Sequence, residues 1–325
     1  MNYIKMSPLT GMVGYGGGSS GLNVSGGTKV PFFGDRGLIH GGWEDNQTSL
    51  GENGIQYFAI TSTGNTSDFG DLTTERQSGA AASNGTRGVQ FGGQQSDMTI
   101  IDYITIANTG NATDFGDLNV GRRLIAGYSN GAIAWCAGGK NGGDSNVIDY
   151  WTIDTTGDAS DFGDLSANRK NLSGCGNNDR GMTIGGWTSG TQYDIDYFDP
   201  NTPGNAADFG DIGRGMAEGN CTSNETRGLA MGGYDFSADA ATDSCEYITI
   251  STLGNTSSFG DLDQVRTISM SSCSNGTRAT FNGGSDSNNA IKSIRYFTID
   301  TTGNSTNFGD MDTERQSISG GNSGD

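Results

Sequence analysis

The feature that most restricts the fold of this chain is a short phrase that recurs six times. Phe-Gly-Asp, followed by an apolar residue, begins at Phe69, Phe115, Phe162, Phe209, Phe259 and Phe308, with spacings of 46, 47, 47, 50 and 49 residues. A Gly-Gly pair also occurs once per unit, at Gly41-Gly42, Gly92-Gly93, Gly138-Gly139, Gly185-Gly186, Gly232-Gly233 and Gly283-Gly284. Two markers that keep one order through every copy predict a repeat architecture.

One unit, from Arg122 to Leu165, contains four predicted strands separated by turn residues. Its strands A to D are predicted at Leu124–Ser129, Ile133–Ala137, Ile148–Asp154 and Phe162–Leu165. Asn130-Gly131 forms the tight turn from A to B. Four antiparallel strands in one repeat of this length predict a propeller blade.

Closure of the ring is predicted from the two ends of the repeat region, because radial stacking covers both faces of each sheet and closure removes free edges. The first copy has strands B, C and D but lacks strand A, and residues 315–319 match a strand A that no strand B follows. We therefore expect an all-β, six-bladed propeller at residues 31–325, closed by the C-terminal strand in the first blade. A Gly-rich N-terminal arm at residues 1–30 precedes it and is the alternative source of the missing strand.

Composition agrees with an all-β chain and restricts its partners. Only 32% of the residues are apolar and 56 of 325 are Gly, which is typical of short strands joined by tight turns. The formal charge of −19 favours solubility and disfavours nucleic acid or anionic lipid as partners. The first residues lack the apolar stretch of a secretory signal, and no run reaches transmembrane length, so no membrane insertion is expected.

After the Gly-Gly pair, each unit has a Tyr on strand C, then the Phe of Phe-Gly-Asp, and then an Arg that opens the next unit. The tyrosines are Tyr57, Tyr103, Tyr150, Tyr197, Tyr247 and Tyr296. This pattern resembles the kelch family of propeller repeats over residues 31–325, with Phe where kelch repeats usually have Trp. The resemblance implies kelch-like blades, which are mostly interaction modules but also occur in galactose oxidase-like enzymes.

A second resemblance rests on the phrase from Asp102 to Leu118 and on the opening segment from Met6 to Gly18. Both are similar to segments of structural proteins of marine bacteriophages. This resemblance implies a virion component, present in multiple copies beside other virion proteins and commonly a tail-fibre or host-attachment protein. The alternative is a decoration or adaptor protein of the capsid, neck or tail, docked by the N-terminal arm.

Repeated Asp and Arg residues are candidates for a structural role. The aspartates are Asp71, Asp117, Asp164, Asp211, Asp261 and Asp310, and an arginine follows five residues later at Arg76, Arg122, Arg169, Arg266 and Arg315. In the fourth unit Arg214 follows Asp211 after only three residues. We interpret these residues as an ion pair or turn cap that links one blade to the next. Calcium bound by carboxylates such as Asp68 and Asp71 is the alternative, but the motif offers few of the oxygens that calcium needs, so no metal or cofactor is predicted.

The same regularity disfavours catalysis. His40 is the only histidine and precedes Gly41-Gly42, a position held elsewhere by Phe91, Ile184 and Met231, so we expect a strand residue that is partly buried. A single imidazole cannot supply a copper or zinc site with several histidines. Most carboxylates lie at repeated positions, whereas a glycosidase needs its pair once. We therefore expect no enzymatic activity, with carbohydrate hydrolysis as the minor alternative.

The five cysteines are Cys136, Cys175, Cys221, Cys245 and Cys273, an odd number without Cys-x-x-Cys spacing. Three of them fall at nearly the same place in their repeats. We expect small apolar residues on buried strands rather than a disulfide framework or a zinc site.

The loops differ in a way that suggests where a ligand binds. The C–D turn is nearly identical in most units, whereas the B–C loop varies in length and content. In a propeller the B–C and D–A loops share one face, and function tends to lie on variable loops over a rigid scaffold. The candidate ligand-binding residues are the aromatic residues of these loops, Trp43, Trp187, Tyr193, Tyr234 and Phe236. Aromatic rings among polar side chains suit a cell-surface glycan or receptor; the alternative is a solvated surface with chance aromatics.

Overall fold

The computed structural model describes residues 34–44, 51–94, 97–188, 193–235, 238–266, 270–286 and 289–324. In these residues six four-stranded antiparallel sheets form the blades of a β-propeller, as the repeats predict. The predicted N-terminal arm lies outside the described residues. Over the described part of the chain, no helix has the length and apolar character needed to cross a membrane.

The blades are numbered along the chain, and their strands A to D run from the centre outwards. Blade 1 comprises Gly321–Gly324, Arg36–His40, Glu52–Ala59 and Ser67–Arg76, and blade 2 comprises Ala80–Ser83, Arg87–Phe91, Ile100–Thr105 and Thr113–Asp117. Blade 3 comprises Ala126–Ser129, Ile133–Ala137, Val147–Thr152 and Ser160–Asp164, and blade 4 comprises Ser173–Gly176, Gly181–Ile184, Asp194–Phe198 and Ala207–Asp211. Blade 5 comprises Asn220–Ser223, Arg227–Met231, Ser244–Thr249 and Ser257–Asp261, and blade 6 comprises Ser271–Ser274, Arg278–Asn282, Ile291–Thr298 and Thr306–Arg315.

The C-terminal strand completes blade 1, as predicted, but it lies further along the chain than residues 315–319. Gly321–Gly324 pairs antiparallel with Arg36–His40 and is therefore strand A of blade 1. The alternative, a strand A supplied by the N-terminal arm, is wrong. Arg315 instead ends strand D of blade 6. Ile318 packs into the hydrophobic core, and the strand begins only after it.

Six equivalent hydrogen bonds join each blade to the next on the face that carries the C–D turns. In each bond the backbone N–H of the Phe-Gly-Asp aspartate donates to a side-chain oxygen in the C–D turn of the following blade, at 3.0–3.1 Å. The donor and acceptor residues are Asp71 and Asn111, Asp117 and Asp158, Asp164 and Asn205, Asp211 and Asn255, Asp261 and Asn304, and Asp310 and Asn65. The last pair joins blade 6 to blade 1, so these contacts run completely round the ring.

Six buried arginines link the blades nearer the opposite face. They are Arg76, Arg122, Arg169, Arg214, Arg266 and Arg315. Each guanidinium enters the next blade and donates to two backbone carbonyls, one at the first Gly of the Gly-Gly pair and one at the start of strand C. Arg214 reaches the same two carbonyls from its displaced position in the sequence.

Four of these arginines also have an acidic partner in the next blade, whereas Arg266 and Arg315 pair with Asp263 and Asp312, three residues earlier in the sequence. Arg76 lies 2.6 Å from a carboxylate oxygen of Asp102, and Arg122 lies 2.6 Å from one of Asp149. Burial raises the pKa of Asp149, and the charge of Arg122 opposes this effect. The repeated aspartates and arginines thus both link blades, but through separate contacts rather than through a pair formed by Asp71 and Arg76.

The cysteines differ in part from the expectation. Cys175 and Cys221 form a disulfide between the A strands of blades 4 and 5, so the prediction of unpaired apolar residues is wrong for this pair. Their Cα atoms are 5.8 Å apart although the residues are 46 positions apart, a contact between repeats that cysteine spacing does not reveal. Cys136, Cys245 and Cys273 are free and buried, and burial raises the pKa of each thiol to about 12.

Candidate functional site

The face with the B–C loops has a repeated backbone arrangement around the central channel. The residue after each Gly-Gly pair is called here a rim residue; the six are Trp43, Gln94, Lys140, Trp187, Tyr234 and Ser285. Five of them form a short antiparallel bridge with the segment that leads into strand A of the same blade. The bridges are Trp43–Gln316, Gln94–Gln77, Lys140–Arg123, Trp187–Lys170 and Tyr234–Ala217.

The rim is constant in its backbone and variable in its side chains. In the Trp187 bridge, the two backbone N–H···O distances to and from Lys170 are 2.6 and 3.1 Å. The preceding Gly185 has a φ of +61°, and a Cβ there would lie 2.2 Å from the carbonyl oxygen of Met216, so only glycine fits. Because the bridge uses backbone groups alone, it accepts Trp, Gln, Lys or Tyr at the rim position.

A second set of residues, five in the described part of the chain, lies inside the rim at the mouth of the channel. Ser78, Leu124, Asn171, Glu218 and Ser317 are non-glycine residues with φ between +49° and +60°. Their backbone groups form a chain of hydrogen bonds from blade to blade, from Glu218 N–H to Asn171 O and onward to Ser317 O. A left-handed conformation costs a non-glycine residue roughly 1 kcal/mol or more, so these hydrogen bonds hold the mouth in a strained, fixed shape. Beneath it the A strands line a cavity of about 160 Å³.

Three of the predicted ligand-binding residues occupy equivalent rim positions. Trp187 is 43% exposed, and Trp43 and Tyr234 are half-buried. Trp187 and Tyr234 belong to the neighbouring blades 4 and 5, whereas Trp43 belongs to blade 1, on the opposite side of the ring. The aromatic residues are therefore distributed around the mouth rather than gathered into one cluster.

The other two predicted residues have different positions. Tyr193 packs against the hydrophobic core between blades 4 and 5. Phe236 lies outside the described residues. Near it, Tyr234 belongs to a small three-stranded sheet formed by Met216–Ala217, Tyr234–Asp235 and Ala240–Ala241. The Tyr234 hydroxyl donates to Asp239 at 2.5 Å, and this hydrogen bond raises the pKa of the tyrosine.

Three cationic side chains lie on the rim of blades 3 and 4. Selecting aromatic residues from the sequence does not predict them. Arg123 and Lys140 form one bridge and Lys170 and Trp187 the next. Arg123 lies 2.6 Å from Asp97, and Lys170 lies 3.0 Å from Asp144. The signal in the sequence is the position directly after Gly-Gly, which singles out Lys140 once the six pairs are aligned.

The opposite face combines A–B and C–D turns and repeats in its side chains as well as its backbone. In the A–B turns, Asn84, Asn130 and Asn177 accept backbone N–H bonds from residues two and three positions later. Gly34 and Gly324 lie against each other on this face, because a Cβ on Gly34 would be 2.0 Å from the Gly324 carbonyl carbon.

His40 is the one histidine of the chain. It is 1% exposed. Its pKa is lowered to about 4, mainly by burial; the side chain of Asn322 opposes this shift and the charge of Arg76 adds to it. Within the described ranges, no group of three or more His, Cys, Asp or Glu side chains is arranged to hold a metal ion. Comparison of the sequence with protein-family models and with curated proteins gives no match.

Proposed function

We propose that this chain is a non-enzymatic recognition module that binds its partner through the rim and B–C loops. The observation that carries the proposal is the rim itself, where one backbone bridge recurs while the side chain it presents changes from blade to blade. A scaffold fixed in this way can present different side chains without loss of the fold. Its bridged backbone also has little conformational freedom left to lose on binding.

The proposed setting is a virus particle, in a tail fibre or another host-attachment device. This part rests on the resemblance of the Asp102 to Leu118 phrase and of the Met6 to Gly18 segment to phage structural proteins. The partner would be a cell-surface glycan or protein. The exposed indole of Trp187 is suited to either, because it offers a large apolar face together with a polar N–H.

A decoration or adaptor role is the second candidate. Its docking segment would be the Gly-rich N-terminal arm at residues 1–30, whose sequence matches no blade of the repeat. Deletion of residues 1–30 should then release the propeller from particles, and retention would count against this role.

Carbohydrate hydrolysis has less support. The repeated carboxylates Asp102, Asp149 and Asp196 are buried and bound to arginines, which suits a structural role. Incubation of the purified protein with bacterial polysaccharides, followed by sizing of the products, would detect cleavage. Any shortened chains would overturn the non-enzymatic part of the proposal.

The recognition proposal is tested by binding of the purified protein to a panel of bacterial cells. Trp187→Ala should reduce binding at least tenfold, about 1.4 kcal/mol of binding free energy. Leu253→Ala is the matched control, because Leu253 is 51% exposed in a C–D turn on the other face. Equal loss in both variants, no loss in either, or no binding to any cell by the unchanged protein would contradict the proposal.

A further inference from the structure

Positive charge is distributed unevenly over this acidic protein. Most cationic side chains in the described ranges hold blades together. Six of them are the buried arginines. Five more arginines each donate to a backbone carbonyl of the next blade at 2.7–3.1 Å; they are Arg36, Arg87, Arg180, Arg227 and Arg278. Arg295 pairs with Asp263. Only Arg123, Lys140, Lys170 and Lys292 then remain among the residues described, and three of these four belong to the rim bridges of blades 3 and 4.

These three cations and Trp187 form one continuous strip. Lys140 is bridged to Arg123, and Trp187 is bridged to Lys170. The two bridges are joined to each other, because the N–H of Gly139 donates to the carbonyl of Arg169 at 2.7 Å. The strip, called here the cationic sector, is Arg123, Lys140, Lys170 and Trp187.

The cationic sector has more positive than negative charge. Asp97 pairs with Arg123 and Asp144 pairs with Lys170, whereas no acidic residue within the described ranges forms an ion pair with Lys140. The sector therefore has three cations against two carboxylates. Other rim segments have the opposite balance, with Asp235, Asp239 and Asp243 near Tyr234 and Glu44 next to Trp43.

We infer that the cationic sector binds an anionic sugar residue of a glycan, with the indole of Trp187 against the sugar ring and Lys140 bound to the acidic group. This inference rests on the proposed recognition function and names its ligand class. Lys170 is bridged to Trp187 and Lys140 lies on the adjoining bridge. Positive charge on the same strip as an exposed aromatic ring matches a ligand with an apolar ring face and a negative group. A polyanion such as nucleic acid fits less well, because the net charge of −19 repels it over all of its length outside this sector.

The test measures binding of the full chain to three probes by calorimetry. They are oligogalacturonate, which carries carboxylates, a sulfated dextran oligosaccharide, which carries sulfate esters, and unmodified dextran. Binding to either anionic probe and not to dextran is expected, and the two anionic probes distinguish the source of the charge. Lys140→Gln should weaken that binding about 10- to 100-fold, roughly what one hydrogen bond to a charged group contributes. Lys292→Gln removes the same charge outside the sector and should change it less than twofold.

Salt dependence gives a second measurement on the same samples. Binding should weaken as salt rises, since a local cationic contact is screened; strengthening with salt would mean that repulsion by the whole protein dominates and would overturn the inference. So would equal binding to dextran, no binding to either anionic probe, or no effect of Lys140→Gln. Failure of the inference alone has its own signature, in which cell binding is lost in Trp187→Ala but unchanged in Lys140→Gln.

Discussion

The two faces of the propeller are built from one repeat, yet different parts of the repeat are constant on each. On the face with the C–D turns, side chains recur together with the backbone, because Asn65, Asn111 and their equivalents accept the bonds that join the blades. Blade 3 has Asp158 in this position, and its carboxylate oxygen makes the same bond. On the rim face the backbone bridges recur, but their side chains range from Trp43 to Lys140.

The difference indicates why one face varies. A side chain stays constant where it makes a blade-to-blade contact, and it is free to change where the backbone alone makes the contact. The constancy of the C–D turns is therefore explained by the fold, without a ligand. The variety of the rim is permitted by the fold but not required by it, which is why we propose the rim as the recognition surface.

The largest expected difference in stability between the two faces comes from adding one methyl group to a glycine on each. A Cβ on Gly116 would lie 2.4 Å from the carbonyl oxygen of Gly157 in the next C–D turn, whereas Gly142, in the B–C loop of blade 3, has nothing within 4 Å. Both have positive φ. Gly116→Ala should lower the free energy of unfolding by about 3 to 5 kcal/mol through strain and overpacking, and Gly142→Ala by about 1 kcal/mol through strain alone. Denaturant titration measures both, and equal losses would contradict the account.

Acid should weaken the seam between blades 1 and 2, near the rim face. The folded protein protonates His40 only below a pKa of about 4, whereas the ordinary value is 6.5. Between these values the unfolded state binds more protons, so stability falls as the pH falls from about 6.5 to 4. The full effect is about 3 kcal/mol.

His40→Met isolates this effect, because Met231 occupies the equivalent position in blade 5. Relative to the unchanged protein, the variant should gain about 3 kcal/mol between pH 7 and pH 4. The free energy of unfolding at several pH values provides the measurement. A constant difference between the two proteins across this range would show that His40 is not held neutral.

Loss of one C–D turn acceptor should have an intermediate effect. Asn111→Ala removes the oxygen that accepts the N–H of Asp71 and should cost about 1 kcal/mol, the usual net contribution of one hydrogen bond. Gln94→Ala, at a rim position, is the comparison and should change stability by less than about 0.5 kcal/mol. Thermal unfolding followed by circular dichroism would rank them, and a larger loss for Gln94→Ala would reverse the assignment of the two faces.

A small stability effect is also expected at Trp187. Its side chain is 43% exposed and its bridge to Lys170 uses backbone groups. Trp187→Ala should therefore change the free energy of unfolding by less than about 1 kcal/mol while it weakens binding. If denaturant titration shows a loss of several kcal/mol, the tryptophan is part of the scaffold, and its effect on binding carries no information about recognition.

The repeats made the fold predictable, because the same pattern of strands and turns recurs in each unit. Prediction was less accurate where a contact joins two units. The C-terminal strand was predicted at 315–319 but lies at 321–324. Ile318 packs into the core before the strand begins, and the repeat pattern does not reveal this packing. Likewise the partner of Arg76 is Asp102, 26 residues away on the next blade, rather than the aspartate five positions before it.

The candidate site was predicted in part for a similar reason. Trp43, Trp187 and Tyr234 stand out as aromatic residues in variable loops, and the rim positions they occupy follow from the Gly-Gly alignment. Tyr193 has the same chemical character but packs on the core, a difference that only the fold decides. Lys140 and Arg123 are not aromatic, so selecting aromatic loop residues from the sequence does not find them. Only the bridges of the folded protein place them on the same strip as Trp187.

Hydrogen exchange of the purified protein, before and after addition of bacterial envelopes, tests the central claim most directly. The rim loops at 140–146 and 238–244 are the segments to follow. Envelopes that bind should slow exchange in those loops and leave the C–D turns, such as 252–256, unchanged. Slowed exchange in the C–D turns on envelope addition, with the rim loops unaffected, would contradict the claim that this protein recognises its partner through the rim.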